Sequence, residues 1–295
     1  MKFIEKASGW LIAIGLAIAV LFAFNYLDVL ILTCFRSAGV DTKIYRGVFS
    51  ATAGLVNAAA FGLAFLIFKK QGRSILDIKK TGIADILLVM LIAVGMLGFV
   101  HTFISGADTI GERLKPVSDQ MTQYRDSMDR YKGIKEGTVP LWDSLLYLFS
   151  LTFIVPFEEE LIFRGAIFGL LKRKMSPVAA VLISAVIFGV MHKVSVHTAY
   201  ALICGMILCV CYYYTENIFA TTIMHSLFNF FGSALPDLLK LKQLGIASAT
   251  RLAIVRRVNI VCITLMVPAA LALLLLRYRA QKRRNVKPES VAAVE

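Results

Sequence analysis

Phe157-Glu158-Glu159-Glu160-Leu161-Ile162-Phe163-Arg164-Gly165 sets four ionisable side chains inside an otherwise apolar segment. A charged side chain near the centre of a bilayer costs about 2.5 to 3.5 kcal/mol on insertion scales, so such residues face a protein interior and mark a functional site. On a helix, Glu160 and Arg164 stand four residues apart with the carboxylate N-terminal, the favoured order for an ion pair. Glu159 is turned about 100° from Glu160. It has no such partner in its own helix and is left as a carboxylate able to act as a base.

The surroundings of this stretch are apolar along almost the whole chain. Of 295 residues, 58% are hydrophobic and 17% charged, and the mean hydropathy is +0.73. A soluble domain of this length does not have that composition. The expected fold is all-α: a polytopic integral membrane protein with about eight transmembrane helices around an intramembrane cavity. The expected spans are 9–35, 47–68, 84–104, 141–171, 177–192, 198–214, 218–235 and 258–276, set against the roughly 20 residues a span needs. The first is longer than the apolar core of a secretory signal, so it is read as a retained span. The chain divides into three N-terminal transmembrane helices (1–104), an extramembrane polar segment (105–140), a core of four transmembrane helices (141–235), and a last helix with a basic tail (236–295).

The formal charge of +13 does not point to nucleic acid, because the basic residues lie in short clusters bordering apolar runs. That is the pattern of a topology signal. Read that way, it puts both termini in the cytoplasm and the protein in the cytoplasmic membrane. Cys34, Cys204, Cys209, Cys211 and Cys262 all fall in apolar runs without metal-type spacing and read as small core residues. In the polar segment, Met121, Tyr124, Met128 and Tyr131 are spaced for an amphipathic surface helix, either a solvated connector touching the headgroups or a substrate lid. The tail from Arg283 to Glu295 has the composition of a disordered segment.

Two further polar clusters interrupt the second half: Phe188-Gly189-Val190-Met191-His192 and His225-Ser226-Leu227-Phe228-Asn229. His225 and Asn229 are four apart and share a helix face. Helical rise alone lets Glu159, His192, His225 and Asn229 reach the inner or middle part of the bilayer together. A lone membrane histidine is more often a hydrogen-bond partner between helices than a catalyst, which is the reading for His101 and for His197 near a helix end. His192, His225 and Asn229 differ because they accompany an unpaired carboxylate on neighbouring helices.

At these residues the sequence resembles the CAAX-processing and bacteriocin-processing (CPBP, or Abi) family of intramembrane endopeptidases, which includes the type II CAAX prenyl endopeptidase and bacterial relatives linked to bacteriocin self-immunity. The family pattern is EExxxR, FxxxH and HxxxN or HxxxD. Here it is met by Glu159-Glu160-x-x-x-Arg164, Phe188-x-x-x-His192 and His225-x-x-x-Asn229, in that order. The resemblance implies a helical bundle with a water-accessible cavity opening to the cytoplasm, and a peptide or protein substrate at the membrane. It implies Glu159 and His192 as general base and partner, His225 and Asn229 as oxyanion donors, and Glu160 with Arg164 in support. Zinc stays open as a cofactor, with Glu159, His192 and His225 as its ligands. The chain lacks the His-Glu-x-x-His spacing of a helix-borne zinc site, and a glutamate acid–base mechanism needs no ion. Two other classes are weighed: a non-proteolytic immunity or scaffold protein that binds a peptide or membrane partner, and a proton-coupled transporter. The second is disfavoured by the lack of repeated halves.

Overall fold

The computed structural model describes residues 2–72, 74–128, 138–193 and 195–291. Among these the chain is helical without a β-strand, apart from one isolated bridge between Ile78 and Asn217. The helices are α1 (Lys2–Ser37), α2 (Arg46–Lys70), α3 (Ile83–Gly111), α4 (Lys115–Met128), α5 (141–171), α6 (Pro177–Val190), α7 (Ser195–Thr215), α8 (Ile218–Lys240), α9 (Ser248–Thr264) and α10 (Met266–Val291). Five of the described helices, α1, α2, α3, α7 and α8, are long and apolar enough to cross a membrane, and α9 with α10 makes a sixth if the bent pair is one span. The expectation of eight also counted α5, which carries the glutamates and Arg164, and α6, which is only 14 residues long. Large apolar side chains such as Leu11, Phe22, Val178 and Val267 lie bare on the outside of the bundle. A surface of that kind is matched to acyl chains, not water. The chain is a multi-pass membrane protein.

Several expectations are corrected. A straight last span over 258–276 does not form: the helix stops at Thr264, restarts at Met266 and bends by 47°. Pro268 supplies the reason, since its nitrogen cannot donate to the Thr264 carbonyl and its ring crowds that oxygen. The tail is helical through Val291, and Arg283 and Arg284 bond Tyr214 O at 2.9 Å and Tyr213 OH at 2.8 Å. Within the polar segment α3 continues to Gly111, and α4 folds back on the bundle with Met121 buried; Tyr131 lies outside the described residues. Cys34 is exposed on α1, unlike the four buried cysteines.

The helix carrying the glutamates is irregular by design of its sequence. α5 passes from Leu141–Phe149 through a π-segment, Ser150–Ile154, to Val155–Glu160, then a second π-segment, Leu161–Phe168, and Gly169–Leu171. Pro156 follows the first π-segment, as Pro236 follows a third, Phe230–Ala234 in α8. A proline ring clashes with the carbonyl four residues back, and widening that turn relieves the clash. The second π-segment has no proline to explain it.

α5 is positioned by α2. Asp143, fully buried, accepts from Gly47 N at 2.8 Å and Val48 N at 2.9 Å. Gly47 is obligatory here because a Cβ would fall 2.1 Å from Asp143 O. Ser50 and Ser150 bond through their hydroxyls at 2.8 Å. One heptad further, Asn57 Nδ2 donates to Glu158 Oε1 at 2.7 Å and to Asp28 Oδ1 of α1 at 2.9 Å. Close packing of small residues joined by interhelical hydrogen bonds is how membrane helices associate without a hydrophobic drive.

Both described termini lie at one end of the bundle. There Asp85, at the start of α3, accepts from Arg279 at 2.5 Å and from Arg283, Lys172 pairs with Asp77, and Lys79 pairs with Glu216 at 2.5 Å. The α1–α2 turn, the α3–α4 turn and the α8–α9 connection form the other end.

Candidate active site

The ion pair expected from spacing is present and dry. Glu160 and Arg164 are both 0% exposed, with Arg164 Nη1 2.9 Å from Glu160 Oε1. The N–H directions leave that contact out of hydrogen-bond alignment, and Glu160 Oε2 also lacks a partner. The guanidinium has two further neighbours. Its carbon lies 4.5 Å from the centre of the Phe188 ring, a cation–π contact strengthened by burial, and its Nη2 reaches Gly205 O at 3.4 Å. Gly205 lets α7 come this near, since a Cβ there would stand 2.9 Å from Phe188 Cδ1. The phenylalanine of the second motif therefore binds the arginine of the first.

His225 lies between the two glutamates. Its Nδ1 is 3.0 Å from Glu160 Oε1, and its Nε2 is 3.7 Å from Glu159 Oε2. An ionised Glu160 only accepts, so Nδ1 carries the proton and Nε2 is turned to Glu159. The imidazole within ion-pair reach of Glu159 is that of His225. Which ring comes that near depends on helix rotation, which spacing does not encode. His192 sits in the turn after α6, its Nδ1 2.8 Å from Phe188 O. A carbonyl only accepts, so Nδ1–H donates and Nε2 is the free position of a neutral ring.

Asn229 Nδ2 donates to Leu151 O at 3.0 Å, tying the third motif to a carbonyl of the first π-segment. π-turns of this kind recur at functional sites. Glu159, His192, His225 and Asn229 all line one cavity of about 230 Å³. Its wall also includes His197, whose ring centre is 4.3 Å from that of His192. The lining runs through Met128, His197 and Ser233 towards the end away from the termini.

The zinc ligand set fits poorly. Among the described residues no three His, Cys, Asp or Glu side chains are grouped closely enough to hold one metal ion. Both nitrogens of His225 already face carboxylates.

Sequence reasoning missed two participants. Phe188 was visible only as a motif letter; its position four residues before His192 was the available signal. Asn57, buried and bonded to Glu158, was a single amide in the apolar run of α2, which is itself a signal for an interhelical partner.

In comparison with known proteins, the family model described as Type II CAAX prenyl endopeptidase Rce1-like matches residues 141–231, the stretch that holds all three motifs. No curated protein and no solved structure gave a match.

Proposed function

Taking residues 141–231 as a core similar to type II CAAX prenyl endopeptidases, we propose that this protein is an intramembrane endopeptidase that hydrolyses a peptide bond with water activated by Glu159. The observation that carries the reading is Glu159 Oε2 facing His225 Nε2 at 3.7 Å across a shared cavity. A water about 2.8 Å from each atom sits at the apex of a triangle on that base. Glu159 takes one proton from the water, and the hydroxide attacks the scissile carbonyl carbon. The carbonyl oxygen becomes an oxyanion, met by donors on the wall: the second N–H of Asn229 and, in the imidazolium form of the ring, Nε2–H of His225. The proton held by Glu159 passes to the leaving nitrogen as the C–N bond breaks, and the carboxylate is restored. Positioned proton transfer contributes about 10² to 10⁴ in rate, and loss of one oxyanion donor costs about 10² to 10³. Glu160 and Arg164 act through His225, holding its ring in one tautomer and orientation.

The termini lie at one end of the bundle and the cavity lining runs towards the other, so a mouth at that other end faces away from cytoplasmic termini. Lys and Arg are nearly balanced in number between the two ends. At the termini end they crowd directly against helix ends, at Lys69, Lys70, Lys172, Arg173, Lys174 and Arg277, where positive charge acts on insertion. We keep the termini cytoplasmic, which turns the cavity mouth to the opposite face.

The test compares membrane peptides in cells carrying the wild type with cells carrying Glu159→Gln. An uncut peptide accumulating with the variant is the expected result. Identical peptide profiles, with full biological activity retained by the variant, would hand the site to a binding protein without proteolysis.

A further inference from the structure

A groove opens on the outside of the bundle at the end that holds the termini. Its volume is about 490 Å³, it lies between α1, α2 and α5, and none of its lining residues is shared with the catalytic cavity. Small residues leave the space: Ala19 and Ala23 of α1, Ala64 of α2 and Ala166 of α5. Two glycines press the back wall tight. A Cβ on Gly165 would fall 3.0 Å from Phe65 Cζ, and one on Gly169 would fall 2.8 Å from Ile75 O, so Phe65 and Ile75 lie directly on α5. From Leu16 to Ala23 the groove follows α1 for about 10 Å. One leaflet's share of the hydrocarbon core is about 15 Å, so the groove has the depth of an acyl layer.

Arg173 stands at the mouth. Among the described lining residues it alone carries a charge. One of its N–H groups is given to Ser74 O, and a guanidinium has five. Lys69 and Lys70 follow Phe68, a lining residue, in the last turn of α2. The Lys174 stem reaches α1, with its Cδ 3.7 Å from where a Cβ on Gly9 would stand. Basic side chains thus come to the rim from α2 and from the turn after α5. Asp77, Glu216 and Asp85 at this end are already engaged, by Lys172, by Lys79, and by Arg279 with Arg283. The rim keeps a net positive charge over an apolar slot. An amphiphile with an anionic head matches both parts, as basic pockets between membrane helices match anionic lipids.

We propose that the groove holds one acyl chain of an anionic phospholipid from the leaflet at the termini end, with its phosphate on Arg173. The bound lipid joins α1, the least buried of the described spans, to α2 and α5. The site stands independently of the hydrolytic reading.

The experiment uses the full-length protein, purified in mild detergent and incubated with dioleoyl phosphatidylglycerol or dioleoyl phosphatidylcholine, which share the same tails. Native mass spectrometry counts the lipids retained. One phosphatidylglycerol per chain is expected, with phosphatidylcholine held at least about fivefold more weakly, the worth of one basic residue beside an anionic lipid. Arg173→Gln is expected to narrow that preference about fivefold, and Arg173→Lys to keep it; a merely loosened groove would lower both lipids alike. Ala19→Phe fills the slot from the exposed face of α1 and is expected to lower retention of both at least about tenfold, as two methylenes excluded from burial would. Ala23→Leu serves if Ala19→Phe does not yield monodisperse protein. Phosphatidylglycerol with a photoreactive group in its acyl chain is expected to label segments 16–23 and 61–68. Equal retention of the two lipids, a preference untouched by Arg173→Gln, retention undiminished by filling, or acyl labels outside those segments would each overturn the proposal. A dimer cross-linked through Ala19→Cys, with no lipid retained, would overturn it by giving the groove to a second copy of the chain.

Discussion

The Glu160–Arg164 pair allows the energetics of the site to be separated from its chemistry. Both side chains are 0% exposed, and their contact is 2.9 Å. Removing one partner of such a pair leaves an uncompensated buried charge and costs about 3 to 5 kcal/mol, whereas replacing both by apolar residues of similar volume is often neutral. Arg164→Met is therefore expected to destabilise the protein by about 3 to 5 kcal/mol. Glu160→Leu is expected to do so by a comparable amount, because it also orphans His225 Nδ1, now 3.0 Å from Glu160. The double variant is expected to recover most of the loss, giving a coupling energy of several kcal/mol in the cycle. It is nonetheless expected to be inactive, since nothing then fixes the His225 ring. Unfolding by SDS titration in mixed micelles measures the stabilities, and cleavage of the identified substrate measures the function. Single variants whose costs simply add in the double would refute the idea of a coupled buried pair. A double variant with wild-type turnover would refute the positioning role of Glu160.

Asp143→Ala removes two hydrogen bonds to the start of α2, at 2.8 and 2.9 Å; a loss of about 3 to 6 kcal/mol is expected, at about 1.5 to 3 per bond to a charged group, and the SDS titration reads it. Asn57→Leu strips the shared donor from Glu158 and Asp28, and a loss of at least about 1 to 3 kcal/mol is expected, with hydrolysis falling because α5 is no longer held to α1 and α2. For orientation, a cysteine at Lys174 is expected to resist a membrane-impermeant maleimide in intact cells while one at Ser248 is labelled, each in a background lacking exposed Cys34. The opposite labelling would place the cavity mouth in the cytoplasm.

Helical arithmetic was enough to read Glu160 against Arg164, and motif spacing was enough to assign Glu159, His192, His225 and Asn229 to neighbouring helices. The identity of the imidazole that faces Glu159 was beyond it. That depends on how α6 and α8 rotate about their axes, and so on Gly205, Phe188 and the π-turns near Pro156 and Pro236. Those prolines stood in plain view, as did Pro268 where the last span breaks. Apolar run length outweighed them, because a membrane helix tolerates proline when its neighbours can take up the freed carbonyl. The Asp28–Asn57–Glu158 network stayed hidden for a different reason: its members are 29 and 101 residues apart, and no local pattern joins positions that distant. The ordered tail was missed because its order comes from tertiary partners, Asp85, Tyr213 and Tyr214, and not from its own composition.

The central claim is that Glu159 activates the water that cuts the peptide. Its most direct test is hydrolysis by purified wild type and Glu159→Gln in proteoliposomes, on the peptide identified from cells, with incorporation of labelled oxygen from solvent into the new carboxylate. The account predicts one labelled oxygen per cut by the wild type, and at least about a hundredfold slower turnover by the variant with unchanged SDS stability. Undiminished turnover by a folded Glu159→Gln protein would contradict it.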